Sequence, residues 1–61
     1  MGWREITVEF NGRAVSGSYT VENQIVVVRT PHGVKSREVG TMGPAWLAFR
    51  LLRELAAEGK A

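Results

Sequence analysis

The chain has 61 residues and a net charge of +2, with 44% hydrophobic residues. This length holds one small domain and excludes a multidomain enzyme, while the hydrophobic content excludes a disordered chain. No Cys or Asp is present and the only His is His32, which excludes thiolate metal sites, disulfides and Cys–His nucleophile pairs. We expect one domain over residues 1–61 with no catalytic residue, no metal site and no cofactor.

The N-terminal residues 1–7 lack the apolar run of a signal peptide. Nor does the chain contain a stretch of about 18 consecutive apolar residues, the length that a membrane-spanning helix requires. Together with the absence of cysteine, these features predict a cytoplasmic protein with no membrane association.

Residues 4–10 alternate apolar and polar side chains, which predicts a strand with one buried face. Asn11-Gly12 follows, and this pair is typical of a two-residue type I′ hairpin turn. Such a loop places Val8 opposite Val15 and Ile6 opposite Gly17. The second strand therefore returns along the first one.

A second turn is predicted at residues 21–24, with Glu22-Asn23 as the loop, and a third strand at residues 24–30 that is apolar on both faces. Pro31 and Gly33 favour a three-residue loop in which Gly33 takes the left-handed position. This loop predicts a fourth strand over residues 34–39. It also places Lys35, Arg37 and Val39 on the face that Ile25 and Val27 share.

Residues 40–43 predict a flexible link, and Pro44 suits the first position of a helix over residues 44–58, with Gly59 as its stop. The predicted fold is therefore α+β: an antiparallel three- to four-stranded meander over residues 3–39, with one amphipathic helix packed on one sheet face. The predicted core comprises Ile6, Val8, Phe10, Val15, Tyr19, Val21, Val26 and Val28 against Ala45, Ala48, Phe49, Leu52, Leu55 and Ala56.

The apolar surface exceeds what one small sheet and one helix need to bury, and small domains without disulfides or metals often gain stability by self-association. This imbalance predicts a non-enzymatic interaction module that acts as a homodimer or binds another protein. The predicted contact surface is either a strip on the open sheet face or an extension of the helix stripe, and the link also permits helix exchange between copies. Its residues are Trp3, Ile25, Val27, Val39, Trp46, Leu47 and Leu51.

The alternative hypothesis is nucleic-acid binding by the hairpin over residues 29–37. This segment contains Arg29, Lys35 and Arg37 and no acidic residue, and cations contact phosphates without needing a sequence-specific pattern. No aromatic residue interleaves them, although base stacking requires one. An ordinary solvated hairpin is therefore the favoured interpretation of this segment, and His32 is interpreted as a turn residue.

Overall fold

The computed structural model describes residues 2–41 and 43–61, so Met1 and the predicted link residue Met42 lie outside the described residues. Four antiparallel strands form one sheet in the order β1-β2-β3-β4, and a helix follows them. The strands are β1 (Arg4–Phe10), β2 (Arg13–Glu22), β3 (Ile25–Thr30) and β4 (Gly33–Glu38), and the helix is α1 (Pro44–Ala57). The predicted α+β meander with one C-terminal helix on the sheet is confirmed.

The first hairpin has the predicted register. Asn11 and Gly12 have φ angles of 54° and 76°, as both central positions of a type I′ turn require. Val8 lies opposite Val15 and Ile6 opposite Gly17.

The second hairpin turns one residue later than predicted. Its loop is Asn23-Gln24, with φ angles of 51° and 65°, and Glu22 pairs with Ile25. Tyr19 therefore lies opposite Val28, whereas a Glu22-Asn23 loop would place it opposite Val26. Moving the loop by one residue moves every pairing by two positions, so each side chain keeps its predicted face.

The third hairpin has a two-residue loop, Pro31-His32, because Thr30 pairs directly with Gly33. The predicted three-residue loop is wrong, and Gly33 has no positive φ. A Cβ on Gly33 would lie 2.9 Å from the Cβ of Lys60, so close packing accounts for this glycine. The loop is one residue shorter than predicted, which turns every side chain of β4 to the opposite face.

Helix α1 lies across all four strands, and five of its side chains are buried: Leu47, Ala48, Leu51, Leu52 and Leu55. They pack on Val8, Val26 and Val28, with Ile6, Val15, Tyr19 and Val39 around them. The predicted core is correct for Ala48, Leu52 and Leu55, but Ala45 and Phe49 are exposed, as is Val21. The helix is rotated so that Leu47 and Leu51 take the buried positions.

The helix ends in a Schellman motif. Gly59 has a φ of 76°, the Lys60 N–H donates to the Leu55 carbonyl at 2.8 Å, and the Gly59 N–H donates to the Ala56 carbonyl at 3.0 Å. These bonds satisfy carbonyl groups that the last turn leaves unpaired. The predicted role of Gly59 as the helix stop is confirmed, with the helix ending at Ala57.

Candidate functional site

Helix α1 covers one face of the sheet, and the other face, here called the open face, has no element of the described chain upon it. Side chains alternate between faces along a strand. The open face therefore has the odd-numbered residues of β1 and β3 and the even-numbered residues of β2 and β4. A surface of this kind is a candidate contact surface because no layer of the domain packs against it.

The open face contains an apolar area on β3 and β4. Ile25 is exposed and Val27 half-buried, and the neighbouring Val34 is 62% exposed. Trp3 adds an exposed ring, and the Arg29 Cζ lies 4.0 Å from the centre of that ring. We call Trp3, Ile25, Val27 and Val34 the open-face patch. The structure places three of the predicted contact residues on this face, together with Val34.

Val39 does not belong to this patch. It is half-buried, packs against the core under α1, and its N–H donates to the Gln24 carbonyl at 2.7 Å. The prediction placed Val39 with Ile25 because it assumed the longer third loop. The two-residue loop turns this part of the chain over.

Leu47 and Leu51 are not available on the helix surface either. They are 5% and 0% exposed and pack under α1 in the chain's own core. Trp46, predicted with them, points away from that core. The predicted extension of the helix stripe into a second subunit therefore loses two of its three residues.

The three cations of the predicted basic hairpin lie on different faces. Lys35 and Arg37 lie on the helix side, where the Lys35 ammonium binds Glu58 and lies 3.3 Å from Glu54, and Arg37 Nη2 lies 3.4 Å from Glu54. Arg29 lies on the open face beside Trp3. These three residues therefore do not form one cationic surface.

The Lys35–Glu58 ion pair shifts the pKa of both groups. The hydrogen bond to Glu58 raises the pKa of the Lys35 ammonium above its ordinary value of 10.5. The same bond lowers the pKa of the Glu58 carboxyl below its ordinary value of 4.5. Each charge therefore stabilises the other, and together they connect β4 to the last turn of α1.

A second exposed surface lies on the outer side of α1 beside β1. Trp46 is 53% and Phe49 45% exposed, and with Arg50 and Arg53 they line a groove whose opposite wall is residues 7–9 of β1. We call Trp46, Phe49, Arg50 and Arg53 the α1 flank. The Arg50 Cζ lies 5.5 Å from the centre of the Trp46 ring, a distance at which cation–π attraction operates.

Most of the α1 flank is absent from the predicted contact surface, and Phe49 is predicted in the core. By number, Arg50 and Arg53 are balanced by Glu54 and Glu58 of the same helix. The structure shows Glu54 and Glu58 engaged by β4 instead. A sequence signal did exist, because Trp46, Phe49, Arg50 and Arg53 recur at helical spacings of three and four residues.

Within residues 2–41 and 43–61, no group of three or more metal-ligating side chains comes together. His32 is exposed in the third hairpin loop, and its main-chain N–H donates to the Thr30 hydroxyl at 3.2 Å. Among the same residues, no helix is both long enough and apolar enough to cross a lipid bilayer.

The chain was compared with known proteins at the level of families, curated sequences and solved structures. No family model, no curated protein and no solved structure matches it.

Proposed function

We propose that this protein is a small, non-enzymatic interaction module that acts as a homodimer through its open face. The observation that carries the proposal is the sheet itself, which α1 covers on one face only. The uncovered face presents the open-face patch. An exposed apolar patch on a small domain often marks a contact surface, and a second copy would cover the patch.

The dimensions of the molecule suit such a contact. Its two larger extents are 32 Å and 22 Å, so each face has an area comparable with the roughly 800 Å² per partner of a standard interface. Tryptophan is among the residues that contribute most to binding energy at interfaces. Trp3 at the margin of the patch supports this use of the face.

The charges of the open face set a condition on the dimer. Along β1 to β4 this face has four carboxylates and one cation: Glu5, Glu9, Glu22, Glu38 and Arg29. Two such faces repel each other at low ionic strength, and salt screens the repulsion. Self-association should therefore strengthen when salt is added.

Two other hypotheses receive less support from the geometry. Nucleic-acid binding by the basic hairpin requires Lys35 and Arg37 to be free for phosphate contacts, whereas both are paired with Glu54. The open face beside Arg29 is mostly acidic and repels phosphate. Helix exchange between copies requires no additional contact surface. The sedimentation experiment described below distinguishes helix exchange from face-to-face packing.

The absence of catalysis is part of the same proposal. The only histidine, His32, is exposed in a turn, and the sequence has neither Cys nor Asp. Tuned acid–base chemistry relies on partly buried groups with perturbed pKa values. Lys35 and Glu58, whose pKa values are shifted, neutralise each other in an ion pair between β4 and α1.

Sedimentation equilibrium over a wide concentration range tests the dimer. We expect wild type to reach twice the chain mass of 6.7 kDa, and Val27→Lys to weaken dimerisation at least tenfold, because it places a charge within the apolar contact. Ala57→Lys is the matched control, since Ala57 is exposed on α1. Trp46→Glu should also leave the dimer intact.

A species that stays at 6.7 kDa at all concentrations and salt conditions would contradict the homodimer. If Val27→Lys dimerises as wild type does, the open face is not the contact. If Val27→Lys and Trp46→Glu both remain dimers, and these dimers dissociate only on unfolding, the result indicates helix exchange instead.

A further inference from the structure

We propose that the groove between β1 and the α1 flank binds an extended, acidic peptide segment of another protein, which joins the sheet as a fifth strand beside β1. This inference goes beyond the proposed homodimer and uses a different surface of the molecule. It stands on the open edge of the sheet, the exposed aromatic side chains that line a groove with that edge, and two arginines, Arg50 and Arg53, that have no carboxylate partner among the described residues.

Strand β1 is an edge of the sheet. Phe10 and Arg13 flank the two-residue loop and form a hydrogen-bonded pair, and such pairs alternate along an antiparallel ladder. The main-chain groups of Glu5, Thr7 and Glu9 therefore point away from β2. The Glu9 carbonyl accepts a hydrogen bond from Arg53 Nη1 at 3.4 Å, as this orientation requires. An edge of unpaired N–H and C=O groups is a template for a further strand.

The aromatic rings of the α1 flank line the same groove as residues 7–9 of the edge strand β1. Trp46 and Phe49 are exposed and form the helix side of this groove. Every second side chain of an added strand would point toward these rings. Peptides that add to a sheet edge obtain affinity from main-chain hydrogen bonds and specificity from contacts to alternate side chains.

The charge of the groove selects an acidic occupant. In the described residues, Arg50 and Arg53 have no carboxylate within salt-bridge distance. The carboxylates of the same helix, Glu54 and Glu58, are held on its other side by β4. The α1 flank is therefore cationic, and acidic side chains at the positions facing it would pair with Arg50 and Arg53.

A second copy of this chain does not suit the groove. Only the odd-numbered residues of β1 offer main-chain groups to a neighbour, so two β1 strands in antiparallel pairing would place odd-numbered residues opposite each other. Residues opposite each other share a sheet face, so both helices would lie on the same face of the joined sheet. A pairing centred on Thr7 opposes Glu5 to Glu9 of the second copy, and one centred on Val8 brings the two cationic flanks together. Like charges in these positions are unfavourable.

The test uses fluorescence anisotropy with a labelled synthetic peptide that alternates Val and Glu at odd positions with Thr and Ser at even positions, so that its net charge is negative. A scrambled peptide of the same composition is the first control, and a labelled oligothymidine tests nucleic acid. We expect the alternating peptide to bind, and to bind more weakly as salt rises. The scrambled peptide and the oligothymidine should bind at least tenfold more weakly.

Two protein variants separate the components of the site. Arg50→Glu combined with Arg53→Glu should weaken peptide binding at least tenfold. Thr7→Pro should do the same, because it removes an outward N–H that the sheet does not use. Thr7→Val is its matched control, since it loses the same hydroxyl and keeps the N–H. The dimer variant Val27→Lys should bind the peptide as wild type does.

The proposal fails if the alternating peptide does not bind, or if the scrambled peptide or the oligothymidine binds equally well. It also fails if folded Thr7→Pro retains full affinity. Should Thr7→Pro not fold, the double arginine variant decides, and full affinity there contradicts the proposal.

Discussion

Gly17 allows helix α1 to approach the sheet closely. It lies in the middle of β2, and a Cβ there would lie 3.0 Å from the Arg29 carbonyl oxygen and 3.1 Å from Leu52 Cδ1. Glycine in a strand interior is intrinsically unfavourable and often marks such an approach. The missing side chain leaves room for Leu52 of α1.

Gly17→Ala should therefore destabilise the protein by about 1–3 kcal/mol, the usual cost of overpacking a core. Gly40→Ala is the matched control, because a Cβ on Gly40 meets no atom within 4 Å, and its effect should stay within about 0.5 kcal/mol. Urea unfolding measures both. Equal stabilities of the two variants would show that Leu52 moves without cost.

Thr30 is the buried polar side chain of the described core region. Its hydroxyl donates to the Lys60 carbonyl, lies 3.3 Å from the Gly33 carbonyl oxygen, and accepts the His32 N–H. This one side chain thus fixes the third hairpin loop and holds the residues after α1 against it.

Thr30→Val should cost about 1–3 kcal/mol, because the partly buried main-chain groups that the Thr30 hydroxyl contacts lose their partner. The amide of Lys60 should exchange faster with solvent as the C-terminal residues come away. Thr7→Val removes an exposed hydroxyl that lies 3.2 Å from the Ser16 hydroxyl, and it should change stability by no more than about 0.5 kcal/mol. Unchanged Lys60 exchange in Thr30→Val would contradict this role.

The sequence predicts a hairpin correctly where the turn residues favour a single loop conformation. Asn11-Gly12 permits a type I′ turn and little else, so the register of β1 and β2 followed correctly. Pro31 and Gly33 suited more than one loop length, and the loop is one residue shorter than predicted. Because of that difference, Lys35 and Arg37 lie on the helix side and form ion pairs with α1. They do not lie on the surface that was considered for phosphate binding.

At the scale of elements, the ion pairs of Lys35 and Arg37 join β4 to α1. Glu58 contributes stability above its ordinary pKa of 4.5 and loses that contribution as pH falls through its lowered folded value. Lys35 contributes below its ordinary pKa of 10.5 and loses that contribution as pH rises through its raised folded value. Between these limits both groups are charged, and the pair is complete.

A double-mutant cycle with Lys35→Met, Glu58→Gln and their combination should therefore give a favourable coupling at neutral pH. The coupling should vanish in strong acid and in strong base, and it should shrink with added salt because the pair is exposed. Glu58→Gln also removes a negative charge at the helix C-terminus. The cycle cancels this separate effect, because it subtracts the effect of each single variant from that of the double variant. A coupling that does not change with pH would show that the contact is not electrostatic.

The rotation of α1 could not be predicted from the helix sequence alone. Leu47, Leu51 and Phe49 span more of the helix circumference than the sheet can cover, so the pattern permits several orientations. The observed orientation buries Leu47 and Leu51 and allows Glu54 and Glu58 to reach β4. It leaves Phe49 exposed in the α1 flank rather than buried in the core.

For the whole molecule, the uncovered sheet face is the central feature. The helix covers one face of the sheet, and the open-face patch remains exposed on the other face. We propose that a second copy covers this patch, while the groove beside β1 stays free for a different partner. The two surfaces lie on different sides of β1, so both can be occupied at once.

Isotope-filtered nuclear Overhauser spectroscopy on a mixture of labelled and unlabelled chains tests this claim most directly. Face-to-face packing predicts contacts between chains among the methyl groups of Ile25, Val27 and Val34. Contacts between chains that join Leu51 to Val26 would instead show helix exchange, because both residues belong to the core between α1 and the sheet. Such contacts, or none between chains at concentrations where the dimer should form, would contradict the account.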